Sequence, residues 1–310
     1  MNTKKVCAVL VSYNRATLLA RALQAMYTQS RIPNHVLVID NASTDDTDTM
    51  IADSYADKAN FTYHKLAENL GGAGGFHHGV KLAYEMGFDW LWLMDDDGYP
   101  DSLCLQQLLA YGDRFGYFGP LVVSDEDKHT LSFAISDPTS RRIIRDKSQA
   151  QAIASDYLLP DVVIPFNGIL LSYALVKEVG FPDERFFIWG DDMEYTYRIK
   201  KHGHAVATLT HTLFYHPKAP NLGTPMLFGR MQFNDTDSQI KLYCLCRNNT
   251  YNLKTYKSIW HGMAFTAKAL WFYTFTRPSF TKFTFALQAL WHGWHSDFSK
   301  HTQYIGKNFE

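Results

Sequence analysis

The chain has 310 residues, 46% of them hydrophobic, and a formal net charge of −1. That length allows a sizeable core in one large domain or two modest ones. The near-zero charge supplies no overall field that would select nucleic acid or an acidic partner.

The elements follow in order. Val6–Val11 is a continuous apolar run and predicts a buried strand. Ser12-Tyr13-Asn14-Arg15 is the loop after it. A helix is predicted over 16–28, with Leu18, Leu19, Leu23 and Met26 on one face. His35–Ile39 is a second strand that stops at Asp40. This βαβ order implies parallel pairing with a right-handed crossover. A helix after Asn41–Asp46 and a short strand over 60–64 follow. Gly71, Gly72, Gly74 and Gly75 place four glycines in five residues, which reads as a loop leading into a helix through Val80, Leu82, Ala83 and Met86. Such a loop lets backbone approach a ligand, and a helix N-terminus suits a diphosphate. It is neither a Walker A loop nor a dinucleotide-binding fingerprint.

Trp90–Met94 is a buried strand that ends abruptly in Asp95, Asp96 and Asp97. Three adjacent carboxylates at the carboxyl end of a strand in an open α/β sheet point to a hard divalent cation, Mn²⁺ or Mg²⁺. A solvated acidic turn is the simpler alternative for the triplet alone. Asp101 is expected to cap a helix to about residue 111, and Tyr117–Val123 is another strand. Residues 124–160, with Arg141, Arg142 and Arg145, read as a hairpin or a loop over the site. Residues 162–172 read as a strand pair or one bent strand, and 173–179 as a short helix. Trp189-Gly190-Asp191-Asp192-Met193-Glu194 is a second acidic constellation, opening a helix that runs to Gly203. The helix dipole explains one of those acids better than three. A strand at 205–209, then His211 and His216-Pro217, complete this part.

From about residue 223 the pattern becomes helical: an amphipathic helix over 237–256, then two more over 258–275 and 279–294. From Lys257 onward six Lys/Arg stand against two acids, with Trp260, Trp271, Trp291 and Trp294 among them. Basic, Trp-rich amphipathic helices suit a membrane surface, and an ordinary helical cap fits equally well. Cys7 and Cys104 sit in apolar contexts as buried thiols, and Cys244-x-Cys246 lacks the second pair of a zinc site. With no signal-peptide core near Met1 and no apolar stretch of bilayer length, the expected compartment is reducing and cytoplasmic.

Read together, Val11–Arg15, Val38–Asp45, Asn69–Phe76, Asp95–Asp97, Trp189–Glu194 and His216 stand in an order that resembles family 2 glycosyltransferases of the GT-A fold, and most the galactofuranosyl- and rhamnosyltransferase branch. Tyr243-x-x-x-Arg247-Asn248 is similar to a helix downstream in that branch. The resemblance implies an α/β fold, with residues 1–222 as the catalytic domain and 223–310 as a helical region facing acceptor or membrane. It implies an inverting, metal-dependent transfer from a nucleoside-diphosphate sugar to a glycan or lipid-linked glycan. UDP-galactofuranose is the expected donor and dTDP-rhamnose the alternative. Asp95, Asp97 and His216 would hold the metal. Arg15, Asp40, Asn69, Gly72 and Asp96 would bind the nucleotide sugar. Asp192 would be the general base, with Asp191 supporting it, and Trp189 and Glu194 would face the acceptor. A nucleotidyltransferase would need a basic glycine-rich signature near the N-terminus, which Ser12–Arg15 does not provide. A non-catalytic binding module would not need the second acidic cluster.

Overall fold

The computed structural model describes residues 4–218 and 223–309. It divides into two compact units. Of the described residues, the first comprises 4–70, 75–182 and 198–218; the second comprises 71–74, 183–197 and 223–309. The sequence division at 222 falls at residues outside those described, and it leaves the stretch 183–197 in the other half.

The first unit is an α/β layer structure. Its elements are β1 (Val6–Ser12), α1 (Ala16–Tyr27), β2 (His35–Asp40), α2 (Thr47–Ser54), β3 (Phe61–Lys65), α3 (Gly71–Glu85, whose first turn belongs to the second unit), β4 (Trp90–Asp95) and β5 (Tyr99–Pro100). Next come α4 (Cys104–Leu109), β6 (Tyr117–Ser124), β7 (Thr130–Ser136), β8 (Ile143–Asp146), α5 (Lys147–Ile153), β9 (Leu158–Pro160), β10 (Asn167–Ser172) and α6 (Tyr173–Val179). Helix α7 (Asp191–Lys201) begins in the second unit and leads into β11 (Val206–His216). The main strand order is β3-β2-β1-β4-β10-β6-β11-β5. Strands β3, β2, β1 and β4 run parallel, while β10 is antiparallel to both β4 and β6.

The apolar runs explain this sheet. All seven residues of β1 and the first five of β4 are buried, as strands covered on both faces must be. Leu19, Ala22, Leu23 and Met26 form the buried stripe of α1 at helical spacing. The parallel register puts Ser12 beside Asp40 and Val11 beside Asp95, so three strands deliver their polar ends to one edge.

Several predicted elements change. The glycine run is not a loop: helix α3 starts at Gly71 itself. Gly71 has φ +71°, and a Cβ there would lie 2.1 Å from the Phe187 carbonyl oxygen. A Cβ on Gly75 would lie 2.4 Å from Val11 Cγ1. These glycines therefore admit close packing of the helix. Residues 124–160 hold the hairpin that is one of the two expectations, β7–β8, and continue into α5 and β9. Only 167–172 of the stretch 162–172 is a strand, and 206–216 is one long strand with an irregularity between Leu209 and Leu213. Helix α4 starts three residues after Asp101, whose carboxylate accepts from Leu103 N.

The second unit holds the hairpin β12 (Gly223–Met226) and β13 (Met231–Asn234), then α8 (Gln239–Asn252), α9 (Ile259–Trp271) and α10 (Phe280–His295). Both α8 and α9 run on into a π-helical turn, at 253–257 and 272–276. Helix α8 is not amphipathic; it is buried on nearly all sides, Arg247, Asn248 and Asn252 included. Ala269, Phe272, Ala286, Ala289 and Leu290 share its buried core. All four cysteines are free, buried thiols.

Candidate active site

In the first unit the site is built at the carboxyl ends of β1, β2 and β4. After β1 the chain turns through Asn14, at φ +53°, whose N–H donates to Ser43 Oγ and whose Oδ1 accepts from Thr44 N. That cross-link sets the loop bearing Arg15 against the loop after β2. A cleft of about 360 Å³ opens there, lined by Asn14 to Leu18 with Asp45 and Asp46. Asp40 is fully buried. Its carboxylate accepts from Ser43 and, at 2.7 Å, from Tyr63 Oη, so it braces the loop after β2.

The Asp triplet is partly neutralised from within. Asp96 is buried and accepts from Ser12 Oγ at 2.7 Å and from Arg15 Nη1 at 3.1 Å. Burial pushes its carboxyl above the usual range despite those partners. Arg15 Nη1 also reaches Asp97 Oδ2 at 2.8 Å. Burial acts on Asp97 in the same sense, but His216 and Arg15 outweigh it and hold that carboxyl below the usual range. Asp97 Oδ1 lies 3.0 Å from His216 Nε2, yet it is buried without a hydrogen bond of good geometry. His216 Nδ1 is 2.6 Å from the Pro217 carbonyl, an acceptor, so Nδ1 carries a proton. That turns the other ring nitrogen, Nε2, to the Asp97 carboxylate. The Asp97 carboxylate and His216 Nε2 are the two side-chain groups here that would hold a divalent ion. Asp95 ends β4 half-buried, with its N–H on the Phe166 carbonyl. Among the described residues no three His, Cys, Asp or Glu side chains converge in a metal-holding group, so Asp95 does not complete the expected trio as it stands.

Asn69 is half-buried just before α3. Gly72 lies in the first turn of α3, where a Cβ would meet nothing within 4 Å. Unlike Gly71 and Gly75, it is not required by packing. A larger recess of about 500 Å³, beside Lys4, Asp89, Trp90 and Tyr173, lies at the other end of β4 and gathers none of the predicted site residues.

In the second unit the chain from Phe186 enters α7 through a tight loop. Asp191 is buried and Asp192 half-buried at the helix start. Burial, and then the Asp192 charge, pushes the Asp191 carboxyl up to about 8; burial raises Asp192 as well. Two neighbouring carboxyls that disfavour joint ionisation keep a proton between them near neutrality. Trp189 is half-buried, with Lys241 Nζ 5.8 Å from its ring centre. Glu194 is buried and accepts from Tyr256 Oη. The expectation of an acceptor contact there meets a carboxylate turned toward a tyrosine of the first π-helical turn.

Residues 7–163 match the model of glycosyl transferase family 2. The chain belongs to that family. It is therefore a glycosyltransferase. It is 35% identical over 257 residues to galactofuranosyltransferase GlfT1 of Mycolicibacterium smegmatis, covering 81% of this chain and 84% of that one. To galactofuranosyltransferase GlfT1 of Mycobacterium tuberculosis it is 34% identical over 256 residues, with 81% and 83% covered. Among solved structures it is similar to Staphylococcus aureus TarS 1–349 in complex with UDP-GlcNAc (TM-score 0.54, 16% identity, covering 96% of this chain and 89% of that one). It is also similar to GalNAc-T7 with UDP, GalNAc and Mn²⁺ (TM-score 0.54, 14% identity), covering 87% of this chain and 57% of that one. These two likenesses establish the shared GT-A α/β fold.

Sequence reasoning named the acidic residues but missed several that hold them. Ser12 on Asp96, Tyr63 on Asp40 and the Asn14–Ser43–Thr44 cross-link carry no spacing signal. Asn252 was also missed, because it stands among other polar residues at the end of α8 and carries no spacing signal.

Proposed function

We propose that the family 2 glycosyltransferase transfers galactofuranose from UDP-galactofuranose to a glycan or lipid-linked glycan of a cell-surface polysaccharide, inverting the anomeric carbon. The observation that carries the site reading is the meeting of His216 Nε2 with Asp97 Oδ1, at 3.0 Å, beside the carboxyl end of β4. The sugar follows from the names of the relatives at 34–35% identity.

Asp97 and His216 would hold the divalent ion, with Asp95 at the adjoining strand end. When bound, that ion supplies charge stabilisation for the leaving diphosphate. The chain's own groups do the rest. Arg15 places a guanidinium on the carboxylates beside the nucleotide and limits the negative charge that faces a diphosphate. Asp96 and Asp40 form the floor for ribose and base, held by Ser12 and Tyr63. The open space at Gly72 leaves room for the donor against the first turn of α3, where backbone N–H groups favour phosphate. Asp192, the more accessible of the acidic pair, takes the proton of the acceptor hydroxyl. The oxygen so freed attacks the anomeric carbon, the bond to the diphosphate breaks, and its electron pair leaves with UDP. A base that burial raises above the usual carboxylate range suits this proton transfer. Trp189 offers an apolar ring to a sugar face.

The acceptor end fits a peripheral membrane enzyme on the cytoplasmic side. Among the described residues no helix is long and apolar enough to cross a bilayer. Trp260, Met263 and Trp271 on α9, and Phe280, Leu287 and Trp291 on α10, are exposed at spacings that share a helix face. No acidic residue occurs between 257 and 296.

The test is a panel of nucleotide sugars, UDP-galactofuranose and dTDP-rhamnose among them, scored for transfer and binding with and without Mn²⁺. Metal-dependent use of UDP-galactofuranose is expected. Preference for dTDP-rhamnose overturns the sugar, and metal-independent binding overturns the site.

A further inference from the structure

The loop that delivers the acidic pair is bent against backbone preference. Phe187 and Trp189 sit at φ +67° and +60°, and Gly190 at +95°. Non-glycine residues in this region are strained and persist only where their surroundings hold them. One helix supplies most of the holding. Arg247 Nη2 donates to the carbonyls of Arg185 at 3.3 Å and Phe186 at 2.8 Å. Asn248 Nδ2 lies 3.1, 2.9 and 2.7 Å from the carbonyls of Phe186, Ile188 and Trp189. Asn252 Nδ2 donates to the Gly190 carbonyl at 2.7 Å. The remaining carbonyl, of Phe187, accepts from Ala73 N. Every carbonyl from 185 to 190 is thus held from outside the loop.

The holding groups are themselves fixed. Asn248 is fully buried, and its Oδ1 accepts from Arg247 Nε at 2.8 Å, which turns Nδ2 toward the loop. Arg247, also fully buried, is covered by the rings of Tyr243 and Phe298, with 4.6 Å to the latter's centre. Burying an arginine and two asparagines is costly unless their donors are used. Here the donors go to the segment that leads into Asp191.

We infer that Asn248, with Arg247 and Asn252, is a positioning residue: through the carbonyls of 185–190, α8 fixes where Asp191 and Asp192 emerge. The inference rests on the proposed base role of Asp192. Asn248→Asp is the sharp variant. It keeps the size and still accepts from Arg247, but it loses the Nδ2 donors. Asn252→Ala removes the hold on Gly190 alone and serves if Asn248→Asp does not fold. Both are compared with the parent and with Asp192→Asn, for transfer from UDP-galactofuranose to an octyl galactofuranoside, for UDP binding in Mn²⁺, and for thermal midpoint. The expected result is a kcat at least about tenfold lower for Asn248→Asp and about threefold lower for Asn252→Ala, with KM for the donor and Kd for UDP within about twofold. Parent-like kcat in both variants, with Asp192→Asn inactive, overturns the positioning role and leaves the base reading intact. Loss of UDP affinity in step with kcat overturns it as well, as a general loosening. Parent-like transfer by Asp192→Asn overturns the base reading instead.

Discussion

At the scale of single residues, the Asp97–His216 pair and the Asp191–Asp192 pair respond oppositely to pH. Asp97 is held below the usual carboxylate range, so the stability it contributes is present above that range and is lost as pH falls through its folded value. Asp97→Ala should abolish Mn²⁺-dependent UDP binding and transfer together, read by calorimetry with and without chelator; unchanged metal dependence of UDP binding would show the metal lies elsewhere. Asp191 is raised to about 8. The folded chain then keeps a proton that the unfolded chain releases near pH 4, so stability falls between about pH 4 and pH 8. Asp191→Asn should therefore melt above the parent at pH 7.5, by at least roughly 2 °C, the shift of about 1 kcal/mol in a chain of this size. The difference should close toward pH 4. Asp192→Asn should lower kcat by ~10²–10⁴-fold while sparing UDP binding. If both acids only cap α7, the two variants lose thermal midpoint and keep turnover, which the same melts and rates would reveal.

At the scale of elements, the start of α3 separates a packing glycine from a binding one. Gly75→Ala forces a methyl onto Val11 Cγ1 and should cost roughly 1–3 kcal/mol, seen as a lowered denaturation midpoint. Gly72→Ala meets no neighbour and improves helix propensity, so the midpoint should hold or rise. If the donor lies against that turn, its KM for nucleotide sugar should nonetheless rise. An unchanged KM would place the diphosphate away from α3. The sequence showed the glycines but not their helix. Four glycines in five residues oppose helix formation locally, and contacts with Val11 and the Phe187 carbonyl, distant in the chain, decide the matter. Helix α8 teaches the converse. Its polar residues read as the wet stripe of an amphipathic helix, but Arg247, Asn248 and Asn252 spend donors on carbonyls of residues 185–190.

At the scale of the molecule, the aromatic faces of α9 and α10 bear on where the enzyme works. With no acidic residue between 257 and 296, attraction to anionic lipid should add to insertion of Trp260, Trp271 and Trp291. Flotation with anionic liposomes should capture the chain at low salt and lose part of it at high salt. Absence from the liposomes at both salt concentrations would make these faces packing or oligomer surfaces.

The sequence by itself determined the fold class and the family. Continuous apolar runs of strand length alternating with helical periodicity leave little besides a parallel α/β sheet, and motif order along the chain survives without coordinates. It also placed Asp95–Asp97 at a strand end, because an abrupt change from apolar to charged can only mark an edge. The tertiary structure decided which partner each acid has. Arg15 bridges Asp96 and Asp97, His216 meets Asp97 from the end of β11, and Tyr63 and Ser43 take up Asp40. It also turned Glu194 toward Tyr256 and set Arg247, Asn248 and Asn252 on the loop before Asp191. Periodicity encodes which face of an element is buried. The choice of a hydrogen-bond partner depends on distances between residues far apart in the chain, which only the packed chain sets.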